Sequence, residues 1–464
     1  MGSMLNIPSR MEGPEQKTII GKPEITVSAK GIQNGTSVYL NDGADFGPDT
    51  KLGATTLGQY GPPFTTTSGI NESILFAKAS YKIKWMSQSY EISSAINIPY
   101  NGVQIEGIGG NFQGGMVNFS GFTPLNTLIN VVSPNINAIE ITTPGVYNVG
   151  LKNFAINFTQ SPTGHGIYAN PGADTVGIMG NTWENIYVSN VDNNHYAFYV
   201  VNAVYNTYIR LGGSGGSSGN GLALIEDDSS NNYGNSTFIE CNFESQSTST
   251  LSPLQLNATT HQLGINQLTF IRAQVTGEGN TYPLIQLTNV GVSSFYDSDI
   301  ETVDTTLGNN VYLANLSSCV DINFYTIPVG YINLTNSTNN CNFYSLVYSY
   351  FKGDGTQSKI SAIGGQINSA SQGTISGMQF HNFVNVLVPT TPAVPASGTA
   401  QTNNNPYAVN VYIYGGTVTV IDYTPAGGTA IQVGTAGPAT IRLNPGDSIT
   451  LTYSAAPSWN WTTA

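Results

Sequence analysis

Phe270-Ile271-Arg272-Ala273-Gln274-Val275 is one copy of a six-residue pattern that decides the fold. The pattern reads apolar, outward, turn, apolar, outward, apolar. Clear copies occupy residues 151–156, 183–188, 238–243 and 295–300, and looser copies begin at Tyr208, Phe324, Phe343 and Ile375. The pattern stays constant while the interval between copies varies.

A constant pattern at variable intervals indicates stacked coils that share one strand-turn-strand face and differ in loop length. A single coil cannot bury its apolar side, whereas coils stacked about 4.8 Å apart close a common core. The sequence therefore predicts an all-β chain with a parallel β-helix over residues 40–387. Trp183, Phe238, Phe270 and Phe295 are expected to share one interior column.

One short helix is predicted at residues 65–79, since hydroxyl residues suited to capping precede apolar residues at helical spacing, Ile70, Ile74 and Ala77. Strands are predicted at residues 81–85, 92–98 and 103–108. Residues 1–39 are polar and irregular and are expected to form an N-terminal arm.

The C-terminal part has a different pattern. Residues 388–406 are rich in Pro, Thr and Asn and are expected to be a linker. Residues 407–464 read as strands and tight turns, which predicts a small C-terminal β-sandwich. Trp459 and Trp461 either pack the end of this sandwich or contact sugar, and the packing interpretation is favoured.

Three stretches resemble the opening of the pectate-lyase-like β-helix superfamily: residues 43–50, the predicted helix, and residues 90–109. In that superfamily these parts are an acidic Gly-rich loop, a capping helix and the first coils. The resemblance implies a right-handed parallel β-helix that handles carbohydrate, because the superfamily includes lyases, hydrolases and phage tailspikes. It does not specify the activity, since one fold hosts many functions.

Charge and composition exclude several other classes. Lys and Arg number 14 against 27 Asp and Glu, which gives a net charge of −13 and argues against nucleic-acid binding. No apolar run reaches the ~18 residues of a membrane-spanning helix. No metal-ligand cluster or phosphate loop is recognisable, so no cofactor is expected. Cys241, Cys319 and Cys341 are interpreted as core residues.

Aligning the copies stacks the turn residues in one column: Asn153, Asn185, Arg210, Glu240, Arg272, Asp297, Thr326 and Ser345. The two Asn residues suit an amide ladder. The charged members alternate in sign, which indicates either a charge ladder that satisfies the turns or the floor of a groove that orients an acidic or hydroxyl-rich sugar.

Beyond the turn, outward positions stack in two further columns, Asn242/Gln274/Asp299 and Glu244/Thr276/Glu301. The two residues Asp299 and Glu301 are expected roughly 7 Å apart, and Glu244 and Glu301 on the order of 10 Å apart. Inverting glycoside hydrolysis uses two carboxyls about 6.5–9.5 Å apart. Glu244, Asp299 and Glu301 are therefore the candidate catalytic residues. A merely solvated acidic face is the plain alternative.

Arg272 and Gln274 adjoin these acids and are candidate substrate contacts. Tyr187, Tyr296 and Tyr325 are predicted to point outward, as is Tyr344, and a ring stacked on the C–H face of a sugar is a common carbohydrate contact. The plain alternative is the general preference of β-sheets for tyrosine.

Two further motifs are given little weight. Gly164-His165-Gly166 resembles a short polygalacturonase motif, but the paired-Asp motifs and the Arg-x-Lys of that family are missing, so a catalytic His165 is not favoured. Glu226-Asp227-Asp228 is interpreted as an acidic loop tip rather than a calcium site.

Two functions follow from these observations. One is a tailspike-type polysaccharide hydrolase, and the other is a non-catalytic carbohydrate-binding adhesin or viral fibre. For both functions, the expected partner is a polysaccharide or cell-surface glycan, and the expected location of the protein is extracellular or on a virion surface. The C-terminal sandwich resembles the ends of viral fibre and spike proteins, and rods with such ends are expected to be homotrimers, because a closed cyclic assembly hides edges.

Overall fold

The structure is a computed structural model. It describes residues 24–29, 44–86, 89–108, 127–160, 163–172, 177–192, 194–214, 220–228, 233–245, 251–261, 263–277, 282–302, 314–325, 330–336, 338–353, 360–367, 378–381, 391–405 and 408–463. The looser copy at Ile375, the turn residue Thr326 and most of the expected N-terminal arm lie outside these residues.

The chain forms two compact units, residues 1–326 and 327–464. The elements of the first unit are β1 (Glu24–Val27), α1 (Ile70–Ala77), β2 (Lys82–Trp85), β3 (Ser89–Ile92), β4 (Ile96–Asn97), β5 (Gln104–Glu106), β6 (Thr127–Val131), β7 (Ile139–Ile141), β8 (Gly150–Phe158), β9 (Ile167–Ala169), β10 (Thr182–Ser189), β11 (Tyr196–Val201), β12 (Thr207–Ser214), β13 (Asn220–Glu226), β14 (Tyr233–Gly234), β15 (Thr237–Ile239), β16 (Asn242–Ser245), β17 (Leu254–Ala258), β18 (Ile265–Asn266), β19 (Thr269–Ile271), β20 (Gln274–Gly277), β21 (Ile285–Thr288), β22 (Val290–Tyr296), β23 (Asp299–Thr302), β24 (Ala314–Ser317) and β25 (Val320–Phe324).

These strands pair in parallel along three faces. The first face consists of β1, β2, β5, the starts of β8, β10 and β12, then β15, β19, β22 and β25. The second consists of β3, β6, the ends of β8, β10 and β12, then β16, β20 and β23. The third consists of β4, β7, β9, β11, β13, β17, β21 and β24. The fold is therefore the predicted right-handed parallel β-helix.

The predicted interior column is confirmed and extends further than expected. All of its rings are buried and follow the first face through successive coils: Trp183, Tyr208, Phe238, Phe270, Phe295 and Phe324. The rings of Phe238, Phe270 and Phe295 stack at centroid distances of 4.5 Å, tilted by 7° and 3°. Identical flat side chains in register thus fill the core at the strand spacing.

The predicted turn column is also confirmed at six of its members, all in the first unit. Each turns the chain from the first face to the second in the left-handed region, with φ from 46° to 62°: Asn153, Asn185, Arg210, Glu240, Arg272 and Asp297. A second left-handed column opens the first face five residues earlier: Asn148, Gly180, Tyr205, Asn235, Gln267 and Val292. Two sharp turns therefore bracket the first-face strand in each of these six coils.

Helix α1 is shorter than the prediction of residues 65–79. Its N-cap is Gly69, which has φ 84° and contributes no side-chain hydrogen bond, and Thr67 Oγ1 instead accepts the N–H of Asn71 at 3.1 Å. A Cβ at Gly69 would lie 2.6 Å from the backbone nitrogen of Gly47, so only glycine allows this close approach to the Gly-rich loop.

The second unit contains β26 (Gly330–Thr335), β27 (Asn342–Gly353), β28 (Ile360–Ile367) and β29 (Met378–His381), which pair in parallel. It also contains β30 (Ala400–Thr402), β31 (Val409–Tyr414), β32 (Thr417–Thr424), β33 (Ile431–Gly434), β34 (Ala439–Leu443), β35 (Ser448–Ala455) and β36 (Ser458–Thr463). These form antiparallel sheets of order β30-β35-β32-β33 and β34-β31-β36, the predicted sandwich. Strand β30 lies within the stretch expected to be a linker.

Candidate functional site

A ladder of alternating charges follows the corner between the first and second faces. Its members, the corner ladder, are Lys82, Glu106, Lys152, Glu184, Arg210, Glu240 and Arg272. Arg210 Nη2 lies 2.8 Å from Glu184 Oε1, and its Nη1 lies 3.7 Å from Glu240 Oε2. Arg272 Nη2 lies 2.5 Å from Glu240 Oε1. Both arginines are thus paired with glutamate, which favours the charge-ladder interpretation over a cationic groove floor.

The start of the corner ladder has the same character. Asn185 Nδ2 donates to Asn153 Oδ1 at 2.8 Å, which is the predicted amide ladder, and Asn153 Nδ2 donates to Glu106 Oε1 at 3.3 Å. Lys82 donates to Glu106, and this hydrogen bond lowers the pKa of Glu106 below its ordinary value. Local partners therefore satisfy the polar groups at this corner.

The first acid-bearing column has the predicted register. Asn242 of β16 pairs with Gln274 of β20, which pairs with Asp299 of β23. Asp299 is exposed, whereas Asn242 and Gln274 are half-buried. The column therefore presents one carboxylate and two amides along the second face.

The neighbouring column also has the predicted register, since Glu244 pairs with Thr276 and Thr276 with Glu301. Glu244 is half-buried. The side chain of Glu301 lies outside the described residues. Its strand position, two residues from Asp299, corresponds to a separation of roughly 7 Å between Cα atoms.

Two of the predicted outward tyrosines lie on the first face, immediately before the corner. The rings of Tyr296 and Tyr325 stack with centroids 4.6 Å apart and planes 9° apart, and 39% of Tyr296 is exposed. They extend an outward apolar column formed by half-buried residues of the preceding coils, Ile209, Ile239 and Ile271. Tyr344 belongs to the second unit and is half-buried.

Tyr187 was predicted to point outward as a sugar contact, but only 2% of this residue is exposed, so its ring offers little surface to a ligand. Tyr187 does occupy an outward position, but its column neighbours are Ala155 and Gly212. A Cβ on Gly212 would lie 2.7 Å from Tyr187 Cδ2, so the ring lies against that glycine. Because both neighbours are small, the Tyr187 ring packs flat against the surface of the sheet.

The sequence pattern missed a group of aromatic residues on the third face. Tyr168 of β9 pairs with Tyr199 of β11, and both are half-buried. The repeated pattern ends on the second face and does not reach them. The interval between these tyrosines is close to that between Asn153 and Asn185, so continuing the alignment past the pattern would have paired them.

His165 adjoins these rings and is a poor candidate for proton transfer. Burial, reinforced by the neighbouring His195, lowers the pKa of His165 to about 3. Its Nδ1 accepts the backbone N–H of Tyr196 at 3.0 Å. The imidazole is therefore neutral at ordinary pH and carries its proton on Nε2.

The interpretation of residues 226–228 as a solvated acidic tip is wrong. Glu226 and Asp228 are buried, and Glu226 Oε1 accepts the hydroxyl of Thr260 at 2.5 Å. Asp228 accepts the hydroxyl of Tyr233. These carboxylates organise the following loops through hydrogen bonds, which is the usual condition for burying an acid.

The three cysteines are buried, as predicted, and burial raises the pKa of Cys241 and Cys319 to about 12. Trp459 and Trp461 are buried in the sandwich core, as the packing interpretation required. Within the described ranges, no cluster of three or more potential metal ligands occurs. The same part of the chain holds no helix that is long and apolar enough to cross a membrane.

No family profile and no curated protein matches the sequence. Among solved structures, ORF18 of Geobacillus virus E2 is 13% identical, with 81% of this chain and 69% of that chain covered and a TM-score of 0.43. The tailspike protein of Acinetobacter phage vB_ApiP_P1 is 11% identical, with 89% and 91% covered and a TM-score of 0.42. The A-module of the mannuronan C-5 epimerase of Azotobacter vinelandii is 12% identical, with 66% and 91% covered and a TM-score of 0.36. Similarity at this level transfers no residue role to this chain.

Proposed function

We propose that the protein is a glycan-active β-helix rod of tailspike type and that it hydrolyses a polysaccharide at the second face. The observation that carries the proposal is the stacked pair of the exposed Tyr296 and the half-buried Tyr325 next to the polar column that ends at Asp299. Flat rings suit the C–H face of a sugar, and amide and carboxylate groups suit its hydroxyls.

The proposed catalytic groups are Glu244, Asp299 and Glu301. In an inverting reaction, one carboxyl donates its proton to the glycosidic oxygen. A second carboxylate takes a proton from the water that attacks the anomeric carbon. The strand spacing of Asp299 and Glu301, roughly 7 Å, leaves room for that water. Gln274 and Arg272 flank these acids and are the proposed polar substrate contacts.

The proposed site is tested by Asp299→Asn and Glu301→Gln. Each should reduce the release of reducing ends from a cleaved polysaccharide by orders of magnitude and leave the thermal midpoint unchanged, because neither change alters the apolar core. Tyr296→Ala should weaken binding more than it slows turnover. Parent-like cleavage by both carboxamide variants would mean that the acids of this face do not catalyse.

Glu91→Gln is the matched control. Glu91 is exposed and lies in the column that continues through Asn130, Asn157 and Ser189 along the same face. It lies several coils away from Asp299, so its replacement should leave turnover unchanged.

The alternative is a non-catalytic carbohydrate-binding adhesin or viral fibre, which the tyrosine pair also supports because a stacking surface binds without reacting. Binding of a polysaccharide panel with no release of reducing ends would establish this alternative. For both functions we propose an extracellular or virion-surface location and a homotrimer. The half-buried outward column Ile209, Ile239 and Ile271 supports association, since such apolar stripes favour protein contacts.

A further inference from the structure

The third face carries a cluster of rings that the proposed hydrolysis does not use. The members of this ring cluster are His165, Tyr168, His195 and Tyr199. The His165 ring lies 4.6 Å from that of Tyr199 and 5.4 Å from that of Tyr168, while the two tyrosine rings are 5.4 Å apart. His195 meets His165 edge-on at 4.9 Å. Four rings thus form one continuous, half-buried surface.

Hydrogen bonds fix the two imidazoles. His165 Nδ1 accepts the Tyr196 N–H, which leaves Nε2 as the nitrogen that carries the proton and can donate. His195 Nδ1 lies 2.5 Å from Asp192 Oδ1, which holds that ring against His165. The cluster therefore combines aromatic faces with a preorganised neutral hydrogen-bond donor.

The ring cluster continues along the third face as a column of mostly polar residues. Strand register aligns the residues of successive coils: Glu140, Tyr168, Tyr199, Ala223, Gln255, Gln286 and Asn315. All are polar except Ala223, which is buried between the rings and the amides. Asn315 Nδ2 donates to Gln286 Oε1 at 2.9 Å, and Gln255 Oε1 accepts the hydroxyl of Tyr196 at 2.5 Å. The rings are thus followed by aligned amides that can exchange hydrogen bonds with hydroxyl groups.

We propose that this third-face column is a second carbohydrate site, which binds a chain of neutral sugars along the rod axis. Coils repeat at about 4.8 Å, close to the length of a pyranose unit, so successive sugars meet successive coils. Tyr168 and Tyr199 stack on sugar rings, and His165 Nε2 donates to a hydroxyl.

The charge of the site selects neutral sugars. Glu140 heads the column and Asp192 borders the ring cluster, whereas the column has no lysine or arginine at its described positions. An acidic sugar would meet carboxylates without a compensating cation. Arg210 and Arg272 belong to the corner ladder, which lies at a different corner, between the first and second faces.

The test uses neutral hexasaccharides (cellohexaose, xylohexaose and maltohexaose) and hexagalacturonate as the acidic probe. Calorimetry with the full chain should detect millimolar or tighter binding of at least one neutral probe and none of the acidic one. Tyr199→Ala should weaken that binding at least tenfold, whereas Tyr205→Ala, an exposed tyrosine outside the column, should not. Tyr296→Ala should also leave it unchanged, which separates this site from the proposed hydrolytic site.

A second measurement covers the case in which Tyr199→Ala fails to fold. Diethyl pyrocarbonate should modify His195 in the parent protein more slowly when the neutral probe is present. His261 is the control, because its side chain is 32% exposed against 24% for His195 and it lies outside the ring cluster. Absence of neutral binding at millimolar concentration, tighter binding of hexagalacturonate, or an unchanged modification rate at His195 would overturn the proposal.

Discussion

Residues of the turn column adopt a backbone conformation that L-amino acids avoid. The left-handed region costs about 1–2 kcal/mol for a residue with a Cβ. Asn153 and Asn185 tolerate it, because short amide side chains form local hydrogen bonds there. Arg210, Glu240 and Arg272 lack that compensation, so their conformation is maintained by ion pairs to adjacent coils and by the stacking itself.

Replacing Glu240 should show how much those ion pairs contribute. Glu240→Gln keeps the shape of the side chain and removes the anion between Arg210 and Arg272, which should cost about 1 kcal/mol. The loss should shrink in high salt, which screens half-exposed pairs. The loss is measured as the difference in thermal midpoint between the variant and the parent at low and at high salt. The control Glu91→Gln should leave the midpoint unchanged at both salt concentrations. An equal loss at both salt concentrations would contradict an electrostatic cause.

His165 should make stability depend on pH. The folded protein holds the pKa of His165 near 3, against about 6.5 in an unfolded chain. Below pH 6.5 the unfolded state therefore binds a proton that the folded state does not. This contribution to stability is present above pH 6.5 and declines as pH falls towards 3, by at most about 1.4 kcal/mol per pH unit.

His165→Asn isolates this effect, because the amide oxygen can still accept the Tyr196 N–H. The thermal midpoint of the variant should fall less between pH 7 and pH 4 than that of the parent. Carboxylates titrate in both proteins and cancel in the difference. If the thermal midpoints of parent and variant fell equally with pH, protonation of His165 would not reduce the stability of the folded protein.

The aromatic stack is the element that holds the coils in register. Phe270 is buried between Phe238 and Phe295, with ring contacts at 4.5 Å on both sides. Phe270→Ala should lower the free energy of unfolding by about 3–5 kcal/mol, since it leaves a cavity that its neighbours cannot fill. Denaturant unfolding measures the change. Phe64→Ala, at an exposed phenylalanine, should stay within about 0.5 kcal/mol of the parent.

At the scale of strands, the repeated sequence pattern correctly predicted the features that recur in successive coils. Its apolar and turn positions fixed the first two faces, the interior rings and the register of the Asp299 column. The repeated pattern ends on the second face and does not reach the third, and the ring cluster was missed for that reason. Tyr187 was placed correctly but its exposure was not, since exposure depends on Ala155 and Gly212 in adjacent coils. The start of α1 depended on the contact between Gly69 and Gly47, which is distant in sequence.

For the whole molecule, we expect a homotrimer. The apolar stripe of Ile209, Ile239 and Ile271 faces outward over three coils, and symmetric association would remove it from water. Light scattering at micromolar concentration should give about three times the 49.2 kDa chain mass. Ile239→Glu should lower this mass, and Thr288→Glu on the third face should not. A monomeric parent would rule the trimer out.

The alternating signs of the corner ladder also constrain how such a rod can grow. Each coil adds one charge opposite to the last, from Lys152 through Glu184, Arg210 and Glu240 to Arg272. Excising a single internal coil would bring two like charges together, whereas excising two would restore the alternation. The alternating charges at the corner therefore favour the gain or loss of an even number of coils. A β-helix of this kind should tolerate duplication or deletion of a coil pair better than that of a single coil.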